Sequence, residues 1–136
     1  MCGKLTASDC DRILAAAEAR AREINVPMVI AIVDENGVLK AFKRMDGSLL
    51  ISVKVAQGKA YTAAALRMST REVGERTQPG ADIYGMQFAD VGNIISFGGG
   101  FPLIRNGELI GGIGVSGGSC EEDEDVARAG MAALEP

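Results

Sequence analysis

Between residues 8 and 24, Cys10, Ile13, Leu14, Ala17, Ala21 and Ile24 recur at helical spacing and fall on one side of a projection, which predicts an amphipathic helix. Ser8 and Asp11 are its expected N-terminal cap. Residues 28–33 are apolar on both faces, as in a central strand. A turn at Asp34-Glu35-Asn36-Gly37 and a second strand over 38–44 make a β-hairpin. An alanine-rich run over 49–68 predicts a long helix that approaches a sheet closely. Leu49, Val53, Val55, Ala56, Ala60, Ala63 and Leu66 share its apolar arc, and Lys59 falls inside that arc. The pattern weakens from 69 to 90 into a crossing segment of short helical pieces, with Tyr84, Met86 and Phe88 able to face a pocket. Strands then follow over 94–97, 101–105 and 108–116, the last two joined by Asn106-Gly107, and a final helix covers 119–134.

A chain of 136 residues with 47% hydrophobic and 24% charged residues is expected to form one domain over 1–136. The net charge of −4 supplies no basic field for phosphates, so neither nucleic acid nor an anionic membrane is an expected partner. No stretch reaches the about 20 apolar residues of a membrane span, and no secretory signal pattern opens the chain, so the cytoplasm is the expected location. Cys2, Cys10 and Cys120 form neither a disulfide framework nor a zinc motif, and they are expected as reduced thiols, with no metal site. Cys10 belongs to the first helix's apolar face. The sequence contains no histidine, which excludes serine or cysteine nucleophiles paired with histidine.

Gly112-Ile113-Gly114-Val115-Ser116-Gly117 satisfies the dinucleotide fingerprint G-x-G-x-x-G. The helix that would receive a pyrophosphate instead opens with Glu121, Glu122, Asp123, Glu124 and Asp125, whose charge repels it. These acids read as a solvated helix start, with Ser119 and Glu122 as a capping box. The glycine clusters Gly98-Gly99-Gly100 and 111–118 lie on strands expected to pair, leaving a slot between two bare backbones. Lys59, inside an apolar arc, either bonds to a carbonyl or an acid or presents an ammonium to a ligand.

Taken in order, Val33-Asp34, Arg44-Met45-Asp46-Gly47, Lys59-Ala60-Tyr61-Thr62-Ala63, Gly98 to Gly100 with Pro102, the glycine run from Gly111, and Asp123-Glu124 resemble the GlcG/HbpS/PduO C-terminal-domain family over nearly the whole chain. The resemblance implies an α+β, profilin-like fold with an antiparallel sheet of about five strands flanked by helices. It also implies assembly into dimers or larger rings and a link to haem or corrinoids. Ligand contacts are expected from Tyr61, Thr62, Tyr84, Gly98, Gly99, Gly100, Pro102 and Ser116. Without histidine, haem iron is left with tyrosine, methionine or cysteine as its protein ligand. Three functions follow as expectations: an oligomeric binding protein for a small organic ligand such as a tetrapyrrole, a small-molecule enzyme using Lys59 or Asp34 for proton transfer, or an accessory subunit.

Overall fold

The computed structural model describes residues 4–136, so Cys2 lies outside the described residues. Helix α1 (Ala7–Glu23) starts two residues earlier than its cap signal implied: Thr6, not Ser8, accepts from the Asp9 amide, and the Asp9 carboxylate returns a bond to the Thr6 amide. Both pairs have the same spacing, and the chain uses the one that also gives Asp9 a buried partner in Arg105, 3.0 Å away. Strands β1 (Val29–Asp34) and β2 (Leu39–Arg44) form the expected hairpin. In its turn, the Asp34 side chain accepts from the Asn36 and Val38 amides, and Gly37 takes a φ of 77°.

Helix α2 (Leu50–Leu66) and the short helix α3 (Thr70–Arg76) lead into an irregular segment, followed by β3 (Gly100–Arg105), β4 (Glu108–Ser116) and α4 (Cys120–Met131). The sheet is antiparallel with four strands in the order β2-β1-β4-β3, one fewer than expected. Residues 94–97 do not join it because their polar backbone is engaged elsewhere. The Ile95 amide donates to Thr62 Oγ1, that hydroxyl donates to the Asn93 carbonyl, and the Ser96 carbonyl lies against Gly74 of α3.

Two layers of helix enclose the sheet. On one face α1 and α4 cover Ile30, Ile32, Ile113 and Val115. On the other, α2 lies over β4, β1 and β3, and its small residues Ala56, Ala60 and Ala64 pack on Val29, Ala31 and Val33. The glycines make this approach possible. A Cβ on Gly112 or Gly114 would strike the carbonyls of Ala60 and Ala56, and one on Gly100 would sit 2.6 Å from the Lys59 carbonyl. The slot expected between the glycine strands is therefore filled by the backbone of α2. Both sheet edges resist further pairing: β3 carries Pro102, and β2 has a bulge opposite Ile32 and Val33 with Lys40 and Lys43 beside it. Among the described residues, no helix is long and apolar enough to cross a membrane.

Candidate functional site

Helix α2 covers three strands and leaves the inner face of β2 open, so a groove of about 600 Å³ runs between the helix and the β1–β2 hairpin. Lys54, Gln57, Gly58 and Tyr61, at helical spacing on one face of α2, form one wall. Val33, Gly37 and Leu39 form the other, and residues 90–93 close one end. Tyr61 is the best-defined polar group there. Its hydroxyl donates to Asp90 Oδ2 at 2.8 Å, and Asn93 Nδ2 donates to Asp90 Oδ1 at 2.9 Å. The hydrogen bond to Asp90, with burial, raises the phenol's pKa, while the bonds from Asn93 and Tyr61 lower that of Asp90. The ring is also held from behind, because a Cβ on Gly37 would lie 2.9 Å from it.

The other expected ligand residues scatter. Thr62 is buried behind the groove, where it holds residues 93–95. Tyr84 is 55% exposed and lies off the groove. Ser116 is buried and donates to Ser52 Oγ at 3.0 Å. Pro102 borders a second groove of about 470 Å³, walled by Met68, Phe101, Leu103, Met131 and Leu134. Gly98 edges a third hollow of about 340 Å³ with Phe97, Arg71 and Cys120. Gly99 and Gly100 are buried against Lys59 and Thr70.

Lys59 is fully buried and bonds to both partner types expected of it. Nζ donates to the Val115 carbonyl at 2.8 Å and to Asp123 Oδ2 at 2.9 Å, with the Phe97 ring centroid 5.1 Å away. Asp123 Oδ1 accepts from the Gly118 amide. Burial pushes the Asp123 carboxyl above its ordinary pKa, and the Lys59 ammonium pulls the other way. Glu124 is likewise buried and paired to Arg71 at 2.7 Å, which lowers its pKa. The acids opening α4 are thus not all solvated: two of them anchor this helix to α2 and α3. Neither Lys59, sealed beneath Phe97, nor Asp34, tied into its turn, opens on the groove.

Asp90, Asn93, Lys54 and Gln57 escaped the sequence reading. Lys54, Gln57 and Tyr61 carry a usable signal, since they repeat at helical spacing on the polar flank of α2. Asp90 has none, because it meets Tyr61 from 29 residues away, at the end of the irregular segment that follows α3.

Known proteins share this fold and sequence. The corrinoid adenosyltransferase PduO of Citrobacter freundii is 43% identical over 130 residues, which are 96% of this chain but only 39% of that protein's length. The crystal structure of a PduOC:haem complex superposes with a TM-score of 0.93 at 42% identity, covering 96% of this chain and 95% of that one. The crystal structure of HbpS gives a TM-score of 0.87 at 30% identity over 98% and 92% of the two chains. Residues 5–132 match the model of the family described as haem degrading protein HbpS-like, and the chain belongs to that family.

Proposed function

We propose that this chain is an oligomeric, cytoplasmic small-ligand-binding protein whose cargo is a planar tetrapyrrole such as haem, seated in the groove between α2 and β2. The groove itself carries the reading. Its volume of about 600 Å³ is that of a small-molecule site, its walls include Val33, Leu39 and Val91, and its polar groups are Lys54, Gln57, Tyr61, Asp90 and Asn93. Those groups suit the cargo: a tetrapyrrole presents carboxylates that the Lys54 ammonium can pair, and a flat apolar body that the aliphatic walls cover. The haem complex of the PduOC relative supports the choice of ligand class.

Self-association is supported by α2. Leu49, Leu50 and Ile51 at its start are 60%, 78% and 63% exposed, an apolar cluster that a second copy would cover. The blunted edges of β2 and β3 direct assembly through helix faces instead of strand pairing.

Hemin titration followed at the Soret band tests the cargo. Saturable binding is expected at micromolar protein, weakened about tenfold or more by Leu39→Asp, which places a charge on an exposed groove wall. A Soret band that stays at its free-hemin position removes the haem reading.

A further inference from the structure

Proteins hold haem iron through histidine, cysteine, methionine or tyrosine. With no histidine in the sequence, Tyr61 is, among the described residues, the one side chain of these types lining the groove between α2 and β2. The others are placed elsewhere. Cys10, Met28 and Met45 are buried in the core, Met68 and Met131 wall the second groove, Cys120 borders the third hollow, and Tyr84 and Met86 lie off the groove.

We infer that Tyr61, oriented by Asp90, is the residue that meets the iron of a ferric tetrapyrrole; this rests on the groove being the ligand site. Three features prepare it. Its helix fixes the Cα, Gly37 backs the ring, and Asp90 holds the hydroxyl at 2.8 Å while being held in turn by Asn93. Ligation exchanges the phenol O–H bond for an O–Fe bond. The proton leaves to solvent, the water or hydroxide on the iron is released, and the iron keeps its ferric state, so no oxidant or reductant enters. A ferric ion beside the oxygen becomes the largest local charge and favours the phenolate that the free protein does not. Asp90 is a positioning residue: it fixes the direction of the Tyr61 hydroxyl and is itself fixed by Asn93. The selectivity that follows is for iron-bearing over metal-free tetrapyrroles.

The test uses the full chain with hemin and with metal-free protoporphyrin. Absorbance and resonance Raman read the phenolate-to-iron charge-transfer band, and titration reads affinity. Wild type should show the band and prefer hemin. Tyr61→Phe, which keeps the ring against Gly37, should lose the band and bind hemin about tenfold more weakly while binding protoporphyrin unchanged. Asp90→Asn should retain the band but shift it, and Met68→Leu should change nothing. An unaltered hemin spectrum in Tyr61→Phe, with its urea midpoint intact, overturns the assignment alone. Loss of the spectrum in Met68→Leu moves the ligand to the second groove and overturns it as well. Wild-type protein that binds neither tetrapyrrole defeats the cargo reading and this inference together.

Discussion

Replacing Lys59 by methionine keeps the length and apolar stem of the side chain and removes only the ammonium. In the native protein that ammonium is fully buried and its partner carboxylate is 4% exposed. The substitution leaves Asp123 with the Gly118 amide as its remaining donor, at 2.8 Å, and takes a 2.8 Å donor from the Val115 carbonyl. Orphaning one member of a buried pair costs about 3–5 kcal/mol. With a urea slope of about 2 kcal/mol/M for a chain of this size, the midpoint should fall by about 1.5–2.5 M. The loss should shrink in acid. Without Lys59 to oppose burial, the folded pKa of Asp123 rises further above its unfolded value; the penalty is present above that folded pKa and fades as protonation neutralises the carboxyl. Adding Asp123→Asn to Lys59→Met should recover about half of the loss at neutral pH by removing the stranded charge. Urea unfolding by circular dichroism at fixed protein concentration reads all three. A Lys59→Met midpoint no lower than that of an exposed control, Lys40→Met, would mean that the buried Lys59–Asp123 pair does not hold the fold together.

Asp9 gives a different pH dependence. Burial alone would raise its pKa, but the Thr6 amide and Arg105 outweigh burial and hold it at about 2 against the ordinary 3.8. Its stabilisation is complete above 3.8 and lost as pH falls through about 2; it amounts to about 2 kcal/mol, and Asp9→Asn should flatten that part of the stability-pH curve. Gly114→Ala should cost about 1–3 kcal/mol or more, read as a lower urea midpoint, because the new methyl group meets the Ala56 carbonyl. Leu50→Lys should shift sedimentation toward a smaller species without lowering the unfolding midpoint of the isolated fold. A wild-type monomer at high concentration would count against the oligomer.

The layers of this fold were legible because periodicity and turn chemistry are local. The α1 stripe, the Asn106-Gly107 hairpin and the Ser119–Glu122 capping box all stand where their patterns place them. Helix α2 was harder to orient, since its apolar residues are spread around the axis instead of forming one stripe: Leu49, assigned to the buried arc, is exposed, while Ala56, Ala60 and Ala63 of that arc are buried. Its burial of Lys59 could be read from the arc, but Asp123 could not be named as the partner, because it lies 64 residues away among acids that resemble a solvated helix start. The strand expected over 94–97 failed for a tertiary reason, as Thr62 takes the Ile95 amide and the neighbouring Asn93 carbonyl. The groove was the least legible feature. Tyr61 was singled out, but the cleft exists only because α2 leaves β2 uncovered, and that offset depends on how closely alanine and glycine pack elsewhere on the sheet.

A crystal structure of the protein grown with hemin would locate the ligand outright. A planar ligand is expected between α2 and β2, its body against Leu39, its carboxylates toward Lys54 and its iron facing Tyr61. Ligand density against Met68 and Met131 in the second groove, or an open α2–β2 groove in crystals that take up hemin elsewhere, would contradict that placement.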